Sequence, residues 1–319
     1  MGAEIERWRG RSHRAPAIAP KRWGWYPWGM TAKKPNRVVT DSMLGMELPD
    51  IDRWSELVTV VLGQNPGPFT GPGTNTYLIG RGPKRILLDT GQGVPSYLDI
   101  LERAITETEG VEGLERIVIT HAHPDHNGGV RGIFERLGRV PVNKMPRVEL
   151  DQEVEIDAVQ DGCVVRTDGA TLRGIWTPGH ACDHLCFYLE EERALFTGDV
   201  VLGAGTTVIP GDGDLGDYMN SLERILALDM DVIYPAHGPA IREPHKKVRA
   251  YIAHRELRDE QIESGLEKGP TTIADLVAVI YVDVPEFLHP AAQVSVNAHL
   301  RRMESRGIAE RDGEQWRLC

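Results

Sequence analysis

Cysteine is scarce in this sequence, and long apolar runs are missing from it. Four cysteines occur among 319 residues, at Cys163, Cys182, Cys186 and Cys319. They form no framework of paired cysteines, so we predict no disulfides and an intracellular protein. No apolar run approaches the ~20 residues that a membrane-spanning helix needs. The N-terminal stretch also lacks the apolar segment of a secretory signal. We therefore expect neither a membrane partner nor secretion.

An excess of positive charge is also missing, since the formal net charge is -11. A broadly basic surface that binds nucleic acid without specificity is disfavoured, whereas a local basic groove stays possible. The first 50 residues differ from the rest, because residues 1–37 hold many Arg and Lys, four tryptophans and only two acids, Glu4 and Glu6. We interpret residues 1–50 as an extension that is either a mitochondrial targeting segment or an arm packing through its tryptophans. The mitochondrial matrix and the cytoplasm both remain open as the location.

The densest cluster of metal-binding residue types follows a short apolar run. Three histidines and one aspartate fall within six positions, at His121, His123, Asp125 and His126. The run 116–120 predicts a buried strand, and the apolar periodicity of 130–137 predicts a helix. Residues two apart in an extended chain point the same way, so His121 and His123 can share one metal. Pro124 starts a turn that directs Asp125 and His126 to a neighbouring spot, so one loop begins two metal sites.

This HxHxDH motif resembles that of the metallo-β-lactamase superfamily, and further segments occur in the order of that family. These segments are Leu87–Gly91, Thr177–His180, Phe196–Asp199 and Pro235–Gly238. The resemblance implies an α/β fold for residues 51–243, a four-layer αβ/βα sandwich with metals at one edge.

By the same resemblance, the protein holds two Zn2+ ions. One ion would have His121, His123 and His180 as ligands, the other would have Asp125, His126 and His237, and both would share Asp199. Asp89 would lie behind the ligands and orient the loop and its histidines. Zinc lowers the pKa of bound water towards ~7, so a hydroxide can attack phosphorus or a carbonyl carbon at neutral pH. Asp125 and His237 are the candidate catalytic residues for proton transfer.

Three further residues near His180 require interpretation. Cys182 and Cys186 suggest a thiolate site, but the ligand set is already complete with His and Asp. We therefore expect both cysteines to be buried, reduced thiols. For His184 there are two interpretations, a hydrogen bond to the metal region or an ordinary histidine at the edge of a strand, and we prefer the second.

Residues 244–319 predict a small winged-helix-like domain. Their apolar periodicity indicates three helices, with Thr272 as the N-cap of the second. Residues 308–318 alternate around Asp312-Gly313, which predicts a type I′ hairpin. Arg301 and Arg302 either contact phosphates or are solvated charges on a domain that only packs against the catalytic one.

The loop at 65–68 and the winged-helix tail narrow the resemblance to the β-lactamase-like protein 2 branch of the superfamily. That resemblance implies a zinc-dependent endoribonuclease that cleaves single-stranded RNA by metal-bound hydroxide. Phe69, Thr70 and Thr206 lie in loops expected to wall the metal cleft, which makes them candidate substrate contacts.

Two other functions remain as hypotheses. Fungal thioesterases share much of the pattern, so the alternative is a thioesterase that releases acyl or polyketide chains from acyl-carrier protein or acyl-coenzyme A. A non-catalytic, metal-containing nucleic-acid-binding protein is the third hypothesis, which the complete ligand set disfavours. The sequence leaves the oligomeric state open.

Overall fold

The computed structural model describes residue 43, residues 45–147 and residues 154–319. The predicted extension at 1–50 lies outside the described residues, except for residue 43 and residues 45–50. Both interpretations of that extension stay predictions.

Two mixed β-sheets form the centre of the fold. The first sheet has seven strands in chain order: Ile51–Arg53 (β1), Val58–Leu62 (β2), Asn75–Ile79 (β3), Lys84–Leu88 (β4), Gly113–Val118 (β5), Val142–Lys144 (β6) and Asp157–Ala158 (β7). The second sheet has the strands Val164–Thr167 (β8), Ala170–Trp176 (β9), Leu185–Leu189 (β10), Ala194–Gly198 (β11) and Val232–Pro235 (β12), in the reverse spatial order β12 to β8. Strands β10 and β11 form an antiparallel hairpin.

Helices cover the outer face of each sheet. The first sheet carries Pro95–Thr106 (α1) and Val130–Leu137 (α3), and the single-turn helix Pro124–Asn127 (α2) precedes α3. The second sheet carries Leu215–Leu226 (α4) and Pro244–Leu266 (α5). A short 3-10 helix, Glu190–Glu192, separates β10 from β11.

Alternation of side chains along the strands produces three apolar layers. In β2, Val60 faces the space between the sheets, whereas the next residue, Val61, packs with the helices α1 and α3. The middle layer joins the two sheets, for example through Ile86 of β4 and Phe187 of β10. The predicted four-layer αβ/βα sandwich is therefore confirmed.

The C-terminal part forms the predicted winged helix. It consists of Thr271–Thr272 (β13), Ile273–Ile280 (α6), a 3-10 helix at Glu286–Leu288, His289–Ser305 (α7), Ala309–Asp312 (β14) and Gln315–Leu318 (β15). Its core packs Leu266 of α5 with Val296 of α7 and Trp316 of β15. The type I′ turn was a wrong prediction: the hairpin loop is Gly313-Glu314, in which Gly313 has a positive φ of 61° and Glu314 does not. A type I′ turn needs positive φ at both central residues.

Helix α5 contributes to both the catalytic sandwich and the winged helix. Near its start, Val248 and Tyr251 pack on the second sheet, and the Tyr251 hydroxyl donates to the carbonyl of Gly205 at 2.9 Å. Near its end, Ile262 and Leu266 belong to the winged-helix core. The domain boundary between residues 243 and 244 stays a prediction, and one continuous helix ties the two parts together across it.

Among the described residues, no helix combines the length and the apolar character that crossing a membrane requires.

The N-cap of α6 provides a test of the winged helix. The Thr272 hydroxyl accepts from the Asp275 amide at 3.2 Å, and the Asp275 carboxylate accepts from the Thr272 amide in return. We expect Thr272→Ala to destabilise the winged helix by about 1 kcal/mol, because the first turn of α6 loses this acceptor. Urea unfolding and amide hydrogen exchange along α6 measure the change. Thr272→Ser keeps the hydroxyl and serves as the control; an equal loss in both variants would contradict the capping role.

Candidate metal centre

The loop after β5 arranges its metal-binding side chains through local backbone rules. His123 has an extended backbone (φ −65°, ψ 145°), and Pro124 begins the single-turn helix α2, as the sequence predicted. The two glycines that follow permit a close approach of chains: a Cβ on Gly129 would lie 2.0 Å from the carbonyl oxygen of Thr90. Because of this approach, the loop rests directly on the end of β4.

The structure brings all seven predicted metal ligands together in two groups. Within each group, the ligand atoms lie within 4.8 Å of one another: the first group is His121, His123, His180 and Asp199, and the second is Asp125, His126, Asp199 and His237. Asp199 belongs to both, because Oδ2 lies 3.4 Å from His180 Nε2 and Oδ1 lies 3.1 Å from His237 Nε2. Each carboxylate oxygen thus faces a different group, so this one side chain is able to serve both.

The histidines of the first group are held as neutral bases. Burial and the neighbouring His180 imidazole lower the pKa of His123 to about 4. Burial likewise lowers the pKa of His121 and of His180. The Nδ1 atom of His180 lies 2.8 Å from the Val208 carbonyl, so Nδ1 carries the proton and Nε2 offers its lone pair to the centre. Neutral imidazole is the form that binds zinc.

The second group combines two carboxylates with two histidines. Burial opposes charge on His237, but the carboxylates of Asp199 and Asp125 outweigh burial and raise its pKa to about 9. Burial also opposes charge on His126, whose pKa Asp125 and Asp199 nevertheless raise well above the usual value. His126 Nε2 and Asp199 Oδ1 are buried and lie 3.5 Å apart, and within the described residues neither atom has a partner in hydrogen-bonding geometry, despite the short distance from Oδ1 to His237. A divalent cation that replaces the protons explains this arrangement, so the residues fit a metal.

Asp89 supports the second group from behind. Its Oδ2 lies 2.8 Å from His126 Nδ1, and its Oδ1 accepts from the Thr120 amide at 2.8 Å. Asp89 adopts a left-handed backbone with φ 59°, which is uncommon for a residue other than glycine. The Asp89 carboxylate holds Nδ1 of His126, so Nε2 is the nitrogen that faces the metal-binding groups. This agrees with the role that the family resemblance implied for Asp89, which is to orient the histidines.

His184 is the main residue for which the preferred sequence interpretation is wrong. It is fully buried rather than an ordinary strand-edge residue, and its Nε2 accepts a hydrogen bond from the Asp199 amide at 3.2 Å. Its Nδ1 lies 2.9 Å from the Thr177 hydroxyl, and its ring centroid lies 4.9 Å from that of His121. The sequence contained one signal of this burial. The apolar run Leu185–Leu189 directly follows His184, so His184 lies at the end of a buried strand.

The cysteine prediction was half right. All four cysteines are free, in agreement with the expected absence of disulfides. Cys186 is buried, which raises the pKa of its thiol to about 12, whereas Cys182 is exposed. Cys182 is exposed because the turn before β10 points it outward, with His184 and Asp183 inward. Neither cysteine belongs to the two metal-binding groups.

The loop between β11 and α4 encloses His180. Besides the Val208 carbonyl, the Thr207 hydroxyl lies 3.4 Å from His180 Nδ1. The Thr207 carbonyl in turn accepts from Arg255 of α5 at 2.6 Å. Thr206, the candidate substrate contact, is half-buried beside Thr207, and its contact with substrate stays a prediction.

The Gly/Pro loop before β3 borders the second group. Thr74 pairs with His237 as an isolated β-bridge, and the Gly73 carbonyl lies 3.5 Å from His237 Nδ1. Phe69 is 61% exposed, and the Thr70 hydroxyl donates to the Asn65 carbonyl within the loop at 2.6 Å. Phe69 is thus available to a substrate, and substrate contact by either residue stays a prediction.

Arg301 and Arg302 of the winged helix both contact the protein itself. Arg301 donates to the carbonyls of Gly211 and Gly213, at 2.9 and 3.2 Å, in the loop that encloses His180. Arg302 forms an ion pair with Asp259 of α5. Neither is a freely solvated charge, and phosphate contact by either one stays a prediction.

Comparison with known proteins gives two family matches. Residues 69–145 and 160–237 match the metallo-β-lactamase superfamily, and residues 272–316 match the β-lactamase-associated winged-helix domain. A β-lactamase-like protein 2 homolog from Caenorhabditis elegans is 44% identical, over 82% of this chain and 88% of its own length. An atrochrysone carboxyl ACP thioesterase from Aspergillus chevalieri is 40% identical, over 75% of this chain and 78% of its own. A metallo-β-lactamase family protein from Thermus thermophilus superposes with a TM-score of 0.70 at 25% identity, covering 84% of this chain and all of that one.

The hydrogen bond from the Asp199 amide to His184 generates a testable prediction. We expect His184→Ala to weaken zinc binding by about 10- to 100-fold, because the backbone that carries the shared carboxylate loses its support. Competition with a chromophoric chelator measures the affinity.

Two controls accompany this variant. His184→Gln places an amide oxygen near the position of Nε2 and should recover part of the affinity. His245→Ala removes a histidine whose Nε2 lies 2.9 Å from the Leu228 carbonyl, remote from the ligands, and should leave zinc affinity unchanged. Wild-type zinc affinity in His184→Ala would show that Asp199 does not depend on His184.

Proposed function

The chain belongs to the metallo-β-lactamase superfamily, and we propose that within it the protein is a dinuclear zinc endoribonuclease that cleaves single-stranded RNA. The observation that carries the hydrolytic part of the proposal is the pair of four-residue groups that share Asp199. Imidazole nitrogens and carboxylate oxygens are ligands that zinc prefers. When bound, two such ions supply an activated water and neutralise charge on the group under attack.

The protein's own residues would perform the remaining tasks. The three neutral histidines of the first group and the acidic second group bind the ions. Asp89 and His184 hold His126 and Asp199 in place. Asp125 is the most exposed carboxylate of the centre, with 21% of its side chain accessible, and its Oδ2 lies 3.3 Å from His237 Nε2. We propose this pair for proton transfer with the substrate.

RNA is the favoured substrate because of the winged helix. The match at 272–316 assigns that domain, and Arg301 links it to the loop that encloses His180. A domain joined to the metal centre in this way is suited to hold a polymer whose scissile bond lies at the metals. The free cysteines fit an intracellular location, and we propose the mitochondrial matrix or the cytoplasm.

A thioesterase is the second candidate, favoured by one specific observation. The relative from Aspergillus chevalieri, 40% identical, is named as a thioesterase of an acyl-carrier protein. The same metal centre is able to activate water against a thioester carbonyl. The third hypothesis, a non-catalytic nucleic-acid-binding protein, has less support, because it gives no reason for two complete ligand groups around one shared carboxylate.

Incubation of the zinc-loaded protein with end-labelled single-stranded RNA tests the proposal. We expect cleavage by the wild type and none by His123→Ala. His123 Nδ1 lies 2.9 Å from Nε2 of His121 and from Nε2 of His180, so the substitution removes one nitrogen from the first group of metal ligands. The variant, purified identically, also excludes a contaminating ribonuclease. Intact RNA with two bound zinc ions per chain would refute the endoribonuclease proposal, and acyl-coenzyme A or acyl-carrier substrates would then be assayed.

Point substitutions are the appropriate variants for this assay. Truncation after residue 237 would remove Val248 and Tyr251, which belong to the core of the catalytic sandwich. Loss of activity in such a truncation would therefore report unfolding rather than the role of the winged helix.

A further inference from the structure

Four basic side chains meet where α5 and α7 pack together, away from the metal ligands. We name them the junction cluster: His254, Arg255 and Arg258 of α5, and His299 of α7. Arg255 is 2% exposed and His299 is fully buried. Burial and the charges of Arg255 and Arg258 lower the pKa of His254 to about 3, so His254 is neutral at pH 7 and the positive charge of the cluster belongs to the two arginines.

The junction cluster has more positive charge than the surrounding protein balances. Asp259 contacts His299 Nδ1 at 2.6 Å, but it also forms the ion pair with Arg302. Within the described part of the chain, neither Arg255 nor Arg258 has a carboxylate within 4.0 Å, and each lies over an aromatic ring instead, Tyr218 and Tyr281 respectively. A ring face offsets only part of the cost of burying a guanidinium, so a counter-anion is expected.

The hydrogen-bonding atoms of the junction cluster lead to the same expectation. His254 Nδ1, Arg255 Nε, Arg258 Nε and His299 Nε2 are all buried, and among the described residues none of them has a hydrogen-bond partner. Buried polar atoms are nearly always paired, so unpaired nitrogens on four side chains of one helix junction call for a ligand or water. The guanidinium Nε–H groups of Arg255 and Arg258 are donors, which suit an oxyanion with several acceptor oxygens better than a single carboxylate.

We propose that the junction cluster binds a phosphate group. The site is linked to the metal centre through one loop, because Arg255 donates to the Thr207 carbonyl while the Thr207 hydroxyl and the Val208 carbonyl contact His180. The phosphate belongs either to the backbone of a bound nucleic acid or to a free phosphate ion. The proposal does not depend on RNA being the substrate.

Titration with inorganic phosphate, followed by 31P NMR, tests the site in the full-length protein. Phosphate can also bind zinc directly, so the titration is made on the wild type and on His123→Ala. We expect saturable binding in both and about tenfold weaker binding after Arg258→Met, which removes one charged donor. Arg258→Lys keeps the charge and should bind with intermediate affinity. Arg306→Met, at an exposed position after α7, is the matched control and should bind phosphate like the wild type.

Binding that disappears in His123→Ala and is unchanged in Arg258→Met would place the phosphate at the metals and overturn the proposal. Absence of saturable phosphate binding in the wild type would show that only water satisfies the cluster and would also overturn the proposal.

A second experiment, in which RNA binding is measured, identifies the source of the phosphate. If Arg258→Met also raises the Kd for a single-stranded RNA and phosphate competes with that RNA, the site holds the backbone. If RNA binding is unchanged while phosphate binding is weakened, the site holds a free ion. Failure of RNA cleavage does not alter the phosphate titration, so the two proposals fail separately.

Discussion

The shared carboxylate of Asp199 is the constraint on which the rest of the centre depends. Its two oxygens face different groups of ligands, so a shift of this side chain by a fraction of its own length would disturb both. The chain fixes it from the backbone side, where the Asp199 amide donates to His184. Gly198 makes that contact possible, because a Cβ at this position would lie 2.4 Å from His184 Nε2.

The same principle recurs at two other ligands, His126 and His180, in each of which the protein holds the ring nitrogen that does not face the metals. Asp89 holds Nδ1 of His126, and the Val208 carbonyl holds Nδ1 of His180. A ligand that is fixed in this way needs little reorganisation when a metal binds. Buried neutral imidazoles on one side and carboxylates on the other then favour a dication over protons.

The metal centre alone leaves the substrate open, because an activated water attacks phosphodiesters and thioesters alike. The parts that distinguish substrates are the loops and the winged helix. In this protein they are not independent, since Arg255 and Arg301 connect α5 and α7 to the loop that encloses His180. A ligand at the helix junction and a ligand at the metals would therefore act on the same segment of chain.

The sequence by itself determined the parts that depend on near neighbours. The spacing of two residues in an extended chain placed His121 and His123 on one side, Pro124 set the turn, and the apolar periodicities indicated the winged helix. The four-layer sandwich came from the family resemblance. The family order of the motifs added His180, Asp199 and His237. Only the tertiary structure decided that His184 supports Asp199, that Cys182 is exposed, and that Arg301 contacts a loop 88 residues or more away in the chain. The reason is physical: local spacing fixes where a side chain points along its own strand or helix, whereas its burial and partners depend on which distant segments pack against it.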